Sequence, residues 1–440
     1  MKFFSRKAEL KLLNEAYERV DQAGQMVVIT GKRRIGKTYL SLHFASEKPH
    51  LYLFVSKKSE HLLCQEFVKQ IQQNFDLPIF GEITQFKEIF ALLLDIGKKR
   101  PYVLIIDEFQ EFFQINPSIY SEIQQLWDLH KFESKVEVLF LGSVYSLMNK
   151  IFEDSKEPLF GRADRIIHLR PFPIKDIHAI LTKEGDAALD TLFNYYLFTG
   201  GTPKYIDWLL SQKAFSYRDI VDFLLSEHSP FLDEGRNVLI EEFGKEYGNY
   251  FSILELIASG KTSRSEIESI LEKEIGGFLE KLENDYGIIR KYRSIDAKPQ
   301  SRNVRYKIKD HFLRFWFRFI HRNRSAIETG NFGYVQRDLE ANFSMFSGPT
   351  LEQFFIDLFA SSHQYNKIGS YFESDHTNEI DLVAINELDK KMVIAEVKKN
   401  KHKGSVKGLR YKSEKLLSSY KDYSVEYEVL SLEDASRFLV

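Results

Sequence analysis

The sequence predicts an α/β fold, a doubly wound parallel sheet followed by helical segments and a smaller C-terminal α/β part. Three observations predict it. Gly31-Lys32-Arg33-Arg34-Ile35-Gly36-Lys37-Thr38 spells G-x-x-x-x-G-K-T between a strand-like run, Met26-Val27-Val28-Ile29-Thr30, and a helical pattern over 38–46. A second apolar run, Tyr102-Val103-Leu104-Ile105-Ile106, ends in Asp107-Glu108. A third, over 136–141, ends in Gly142-Ser143. Continuous apolar runs that stop at polar residues mark parallel strands buried on both faces.

The first strand, loop and helix carry their own chemistry. Glycines let backbone N–H groups close around phosphate oxygens at a helix N-terminus, where the dipole favours anions. Gly31, Arg33, Arg34, Ile35, Gly36, Lys37, Thr38 and Tyr39 form the expected nucleotide-binding set. Lys37 is placed to reach the β and γ phosphates, and the Thr38 hydroxyl to ligate Mg²⁺, which makes ATP and Mg²⁺ the expected cofactors. The bland alternative is a glycine-containing turn.

The acid pair follows. Ligands bind at the C-terminal edge of open α/β sheets, so Asp107 is read as holding Mg²⁺ and Glu108 as polarising the attacking water. The alternative is an acidic turn after a core strand. Residues 118–130 read as a helix. Ser143 stands where a γ-phosphate sensor sits in many such folds, and equally where it would N-cap a helix over 144–151.

Composition bounds the rest. The chain has 440 residues, enough for two or three domains. Hydrophobic residues make up 43% and charged residues 28%, and the formal net charge is −2, so overall charge announces no nucleic-acid partner. The single cysteine, Cys64, excludes an intrachain disulfide and suits a reducing compartment. It reads as a small core residue of a helix. No apolar run is long enough to span a bilayer, and the 312–320 run is broken by Arg314 and Arg318. Met1-Lys2-Phe3-Phe4-Ser5-Arg6 lacks the apolar core of a signal peptide, so a cytoplasmic protein with no membrane partner is expected.

Phe4-Ser5-Arg6-Lys7-Ala8-Glu9-Leu10, the loop 31–38, Asp107-Glu108, Gly142-Ser143, Pro158-Leu159-Phe160-Gly161-Arg162 and Gly200-Gly201-Thr202-Pro203-Lys204-Tyr205 together resemble the archaeal-type ATPases of the AAA+/STAND-like P-loop branch. That family usually has Gly where Ser5 stands. The resemblance implies that Arg162 contacts phosphate, in cis or from a neighbouring subunit of a homo-oligomer. A surface arginine is the competing reading. Gly200-Gly201 and Pro203 read as a rigid turn between two apolar helices of a small lid.

Residues 250–258 read as a helix stopped by Gly260, residues 262–266 as the start of a second, and 278–283 as a third after Gly276-Gly277. Two strand patterns follow, over 287–293 and 304–308. This order is a winged helix-turn-helix. Its wing carries Arg290, Lys291, Arg293, Lys298, Arg302, Arg305, Lys307 and Lys309 against only Asp296, a basic face suited to a phosphate backbone. The third helix, with Glu272, Glu274, Glu280, Glu283 and Asp285 around it, would repel phosphates, so docking of protein stays open. Residues 312–319, rich in Phe and Trp, read as a packing helix.

In the C-terminal part, Leu351-Glu352-Gln353-Phe354-Phe355 reads as the start of an amphipathic helix. Residues 379–385 and 391–398 read as strands joined by a polar turn. Period-two alternation puts Glu396 and Lys398 on one face, and the hairpin brings Asp381 near Glu396. Asp…Glu-x-Lys on adjoining strands is the PD-(D/E)XK nuclease signature. Asp381 and Glu396 would hold Mg²⁺, which polarises the phosphate and lowers the pKa of a water, and Lys398 would orient that water. Glu352 matches a further acid of many such enzymes. A surface hairpin with E-x-K is the alternative. This segment resembles the domain-of-unknown-function-234 group, itself regarded as nuclease-like. Lys399, Lys401, His402, Lys403, Lys407, Arg410, Lys412 and Lys415 follow, either a solvated helix face or a phosphate-backbone contact.

The expected organisation is a P-loop ATPase core over 1–170, a helical lid over 171–235, the winged helix and packing helix over 236–325, and a nuclease-like domain over 326–440. The leading reading is an ATPase whose turnover gates a Mg²⁺-dependent nuclease-like domain acting on DNA (or RNA). The alternative is an ATP-dependent switch or scaffold whose C-terminal domain binds nucleic acid or protein without cutting. A DNA-binding regulator built around the winged helix is a third.

Overall fold

In the first compact unit, residues 2–171, the strands β1 (Gln25–Thr30), β2 (His50–Phe54), β3 (Tyr102–Asp107), β4 (Val136–Gly142) and β5 (Arg165–His168) form a sheet in the order β2-β3-β4-β1-β5. Every neighbouring pair is parallel. This computed structural model describes residues 3–298, 300–301, 303–373 and 378–439. Met1, Lys2 and Arg302, used above, lie outside the described residues.

Alternation along the strands builds two cores. Met26 and Val28 of β1 point to one face with Ile89, Phe90, Leu93 and Trp127. Val27 and Ile29 point to the other with Leu13, Leu40 and Phe44. Both faces are therefore covered by helices, as a buried parallel sheet requires. Cys64 is buried in the first of these cores, on helix Glu60–Phe75. Because β4 lies between β3 and β1, the end of β4 falls between the acid pair and the phosphate-type loop.

The second unit, residues 172–440, begins with helices. Leu189–Thr199 and Pro203–Ser211 are joined by a turn at Gly200-Gly201. Gly201 has φ +78°, and a Cβ there would lie 2.2 Å from the Phe172 carbonyl oxygen, so no other residue fits. Helices Tyr247–Ala258, Arg264–Leu271 and Gly276–Glu280 precede the antiparallel pair β6 (Ile289–Tyr292) and β7 (Arg305–Ile308). Gly276 and Gly277 form the first turn of their helix rather than preceding it. The aromatic run is helix His311–Phe315 continued by π-helical turns, Trp316–His321, with Phe312, Phe315, Phe317 and Phe319 fully buried.

The helix expected to start near Leu351 starts far earlier and spans Phe332–Ser361, with Pro349 inside it. Leu339, Phe346, Leu351, Phe354 and Phe355 are buried along it, and that packing outweighs the roughly 3 kcal/mol an interior proline costs. Met345, whose carbonyl loses its partner to Pro349, is solvent-exposed. Four strands close the unit: β8 (Lys367–Phe372), β9 (Glu379–Asn386), β10 (Lys391–Val397) and β11 (Ser424–Leu430), in the order β11-β10-β9-β8. The β8–β9 and β9–β10 pairs are antiparallel and the β10–β11 pair parallel.

The expected basic wing face is not solvent-facing as a whole. Register pairs Arg290 with Lys307 and Tyr292 with Arg305, so period-two alternation sets these side chains on one face, and that face is turned inward. Arg290 and Lys307 both donate to Gln353 of the long helix, and Arg305 pairs with Glu379 at 2.8 Å. On the opposite face Lys291 pairs with Glu283 at 2.7 Å. Arg293, Lys298 and Lys309 remain exposed. Glu272, Glu274, Glu280 and Asp285 are exposed too, so acids rather than bases dominate the solvent side of the third helix.

Candidate functional site

The loop after β1 is shaped by backbone conformations that favour glycine. Gly31 has φ +154°, and a Cβ there would meet the Leu169 carbonyl oxygen at 2.7 Å. Gly36 has φ +92° and immediately precedes helix Lys37–Ala45. Arg34 adopts φ +68° despite its side chain, a strain of the kind found at ligand clamps. Lys37 is buried, and its Nζ donates to the carbonyls of Gly31 at 2.8 Å and Lys32 at 3.3 Å. Ile35 is buried beneath the loop, while Arg33 is half-buried and Tyr39 lies half-exposed on the helix.

Two residues outside the motif hold this loop. Arg6 Nη2 donates to the Ile35 carbonyl at 3.3 Å while its other arm meets Glu9 at 3.0 Å. Ser5, at the position where the resembled family has Gly, has φ +61°. A left-handed backbone there explains the glycine preference, and serine tolerates it at a modest cost.

The acid pair sits against the loop. Thr38 Oγ1 donates to Asp107 Oδ2 at 2.6 Å, and the Tyr52 hydroxyl donates to the same oxygen at 3.0 Å. Burial first, and then the Asp107 charge, push the Tyr52 phenol upward, so it stays a donor. Glu108 adopts φ +53°. Its Oε2 accepts from Ser143 Oγ at 2.7 Å and from Gln110 Nε2 at 2.6 Å. Ser143 is thus not the helix cap: helix Tyr145–Glu153 is preceded by Val144, with no side-chain cap. The carboxylate draws the hydroxyl because a charge-assisted bond outcompetes a backbone N–H.

Asp107 and the Thr38 hydroxyl present adjoining hard oxygen donors, a set that fits Mg²⁺. Arg162 lies elsewhere, paired with Asp128 at 3.1 Å. Tyr52, Gln110 and Arg6 were not assigned roles from sequence. For Tyr52 a signal was available: it stands on the less buried face of the alternation His50-Leu51-Tyr52-Leu53, in the strand beside the acid pair.

A second cluster forms on β9 and β10. Asp381 Oδ2 accepts from the Val397 backbone N–H at 2.8 Å. Lys398 Nζ lies 3.5 Å from Asp381 and 3.2 Å from Glu396, and Lys412 approaches Glu396 at 3.8 Å. Burial raises Asp381 above the usual carboxylate range, opposed by the Val397 N–H and Lys398. For Glu396 burial is the largest influence, but the Ser405 N–H and Lys398 overcome it and hold the carboxyl low. Lys398 is raised because Asp381 and Glu396 outweigh its burial. Glu352, on the long helix, is pushed up to about 8 by burial and by the neighbouring Asp381 and Glu379.

The four polar positions thus converge, with the lysine between two carboxylates. Among the described residues no group of three or more His, Cys, Asp or Glu is placed to share one metal ion. Two carboxylates still suit Mg²⁺, which takes one or two beside substrate phosphates. Lys401 pairs with Asp434 and Lys415 with Glu373, so part of the following basic stretch is engaged within the domain. Among the described residues no helix is long and apolar enough to cross a membrane.

Two family models match parts of the chain. Residues 3–209 match the model of an ATPase domain predominantly from Archaea. Residues 316–409 match domain-of-unknown-function 234, archaeal and bacterial proteins of unknown function. An uncharacterized protein of Methanocaldococcus jannaschii is 29% identical over 90% of this chain and 87% of its own. A Walker-type ATPase of Pyrococcus abyssi is similar in structure over 72% of this chain and 96% of its own, with a TM-score of 0.54 at 18% identity. An Aeropyrum pernix ORC2 protein, solved as ADPNP–ADP complexes, aligns over 74% of this chain and 94% of its own, with a TM-score of 0.48 at 14% identity. The Pyrococcus likeness bears on the fold alone.

Proposed function

Because the chain carries an archaeal-type ATPase domain joined to a C-terminal domain of the unknown-function-234 family, we propose that its ATP turnover controls a Mg²⁺-dependent phosphodiesterase site in the second unit, acting on nucleic acid. ATP binding and hydrolysis belong to the first domain. In the proposed assignment, loop N–H groups and Lys37 hold the phosphates, and a Mg²⁺ at Thr38 and Asp107 would offset charge on the β and γ oxygens. Glu108 orients the water whose oxygen bonds to the γ phosphorus while the bond to the β-phosphate oxygen breaks. Ser143 and Gln110 fix the Glu108 carboxylate. Arg162 is assigned a phosphate contact only if its pair with Asp128 opens.

The observation that carries the nuclease part is the convergence of Asp381, Glu396 and Lys398, with Glu352 close by. A divalent cation at Asp381 and Glu396 would supply Lewis acidity to the scissile phosphate. Lys398, between the two acids, is placed to orient a water and to offset negative charge on the phosphate. The test is cleavage of single- and double-stranded DNA and RNA with Mg²⁺ or Mn²⁺, with and without ATP. Metal-dependent cutting that disappears in Glu396→Ala and Lys398→Ala supports the reading. Cutting that survives Glu396→Ala sinks it.

One observation favours the alternative of an ATP-dependent switch with a binding-only C-terminal domain. The Lys398 ammonium already lies 3.5 Å from Asp381 and 3.2 Å from Glu396, so a cation must compete with it for both carboxylates. That reading expects nucleic-acid or protein binding that is indifferent to metal, and no cleavage.

A further inference from the structure

Hairpin β6–β7 and the long helix Phe332–Ser361 enclose, within the second unit, a cavity of about 440 Å³. Its charge is uneven. Arg290, Arg305, Lys307, Lys309, Arg314 and Arg318 line it, against Glu352, Glu379 and Asp381. Glu379 is taken up by Arg305, and Asp381 by Lys398 and the Val397 backbone N–H.

The innermost cations are hydrogen-bonded to neutral groups. Arg290 and Lys307 share one oxygen, Gln353 Oε1. Arg314 donates to the Phe346 carbonyl and to Thr350 Oγ1. The buried Nε–H groups of Arg290 and Arg314 have no partner among the described residues. Burial, with Arg290 next to it, brings Lys307 down to about 7. Asp357 stands behind Gln353, accepting from its Nε2 at 2.6 Å, and only partly offsets Arg290 and Lys307. Two guanidinium groups and an ammonium this close, desolvated and hydrogen-bonded to neutral acceptors, form a site that rewards an anion with several oxygens, and such an anion would hold Lys307 in its charged form.

We propose that this cavity binds a single nucleotide unit through its phosphate monoester, with Arg290, Lys307 and Arg314 on the phosphate and the wall of Met345, Phe346 and Ile356 against the rest. The volume falls in the range of small-molecule pockets, roughly 300–1,000 Å³, more than an inorganic oxyanion fills. A monoester, at about −1.5 to −2 charges near neutral pH, matches the surplus of cations better than a diester does. The ligand is either a free nucleoside monophosphate or the phosphorylated end of a strand. Asp381 and Glu352 line the same cavity, so the strand-end source rests on the nucleic-acid reading above, whereas the anion site itself does not.

The test uses the full chain in the Lys37→Ala background, which removes the first nucleotide site. Short single-stranded DNA with a 5′-phosphate or a 3′-phosphate, and the same DNA with hydroxyl ends, is titrated by fluorescence anisotropy without metal. Thymidine 5′-monophosphate and inorganic phosphate serve as competitors. A phosphorylated end should strengthen binding roughly tenfold or more, and Arg290→Gln and Lys307→Met should each remove that gain while Lys401→Gln keeps it. Lys307→Met replaces a buried cation by an apolar side chain of similar length and guards against a folding artefact. Competition by the monophosphate at strand-like affinity identifies a free nucleotide as sufficient, and much weaker competition identifies a strand end. Equal affinity for phosphorylated and hydroxyl ends, with no competition by the monophosphate, overturns the proposal, as does inorganic phosphate competing as well as the nucleotide. A phosphate preference without Mg²⁺-dependent cleavage by the wild type would remove the nuclease reading alone.

Discussion

Ser143 Oγ donates to Glu108 Oε2 at 2.7 Å, joining the ends of β4 and β3 across the mouth of the sheet. The bond exists because β4 is the strand between β3 and β1. It places a hydroxyl from one strand on the carboxylate assigned to the attacking water, and Gln110 holds the same oxygen. Ser143→Ala should therefore lower the rate of ATP hydrolysis with little change in ATP affinity. Loss of one hydrogen bond to a charged group, about 1.5–3 kcal/mol, corresponds to a fall in kcat of roughly tenfold to a hundredfold. Steady-state turnover beside fluorescent-nucleotide binding checks it, and a loss of affinity with unchanged kcat would move Ser143 from Glu108 to the nucleotide.

Lys37→Ala should abolish nucleotide binding or turnover, because its buried ammonium is held at the Gly31 carbonyl inside the loop. Glu108→Gln should still bind ATP and stall hydrolysis, since the amide keeps the shape but loses the charge that polarises water. Normal turnover in either variant would remove that residue from its assigned role.

Tyr52→Phe tests a contact invisible to the motif. Its hydroxyl and that of Thr38 meet on one oxygen of Asp107. Partners behind a metal ligand commonly contribute a factor of roughly 10–100 in metal affinity. The variant should shift the Mg²⁺ concentration for half-maximal ATPase activity upward by about tenfold, with saturating activity preserved. A Mg²⁺ titration identical to wild type would confine Tyr52 to packing.

Glu137 lies fully buried in β4, and neither carboxyl oxygen has a partner among the described residues. Burial raises it well above the usual carboxylate range, and Lys48 only partly opposes this. The folded state thus holds a proton that the unfolded chain releases above about pH 4.5. Stability contributed here is present at low pH and is lost as pH rises from the unfolded value toward the folded one. Glu137→Met should stabilise the first unit at pH 7.5 by about 1–3 kcal/mol, the cost of an unsatisfied buried polar group, and by less at pH 4.5. Thermal melts at both pH values check it. A variant less stable than wild type at pH 7.5 would show that Glu137 has a compensating partner.

What could be read in advance divides along chain distance. The loop 31–38, the three apolar strands and the acid pair were legible because each is a local pattern whose chemistry depends on residues a few positions apart. The same holds for Asp381, Glu396 and Lys398, joined by a short hairpin whose alternation is visible in the chain. The helix that the pattern starts at Leu351 begins at Phe332 instead, because propensity is local, whereas the burial that carries the helix through Pro349 comes from residues elsewhere in the second unit.

The wing shows the same limit from the side of charge. Counting Arg and Lys along 290–309 suggested a basic surface. Pairing of Arg290 with Lys307 and of Tyr292 with Arg305 turned that face toward Gln353, and Glu379 and Glu283 arrived from other segments. By itself the sequence determined that this chain carries a phosphate-binding loop, its acid partners and a carboxylate–lysine set, since covalent neighbours and helix or strand period dictate them. Only the tertiary structure decided which strand lies between which, and so that Ser143 serves Glu108, that Tyr52 serves Asp107, and that Arg290, Arg305 and Lys307 of the hairpin face a cavity. Strand order and burial are properties of packing between distant segments, and no local spacing encodes them.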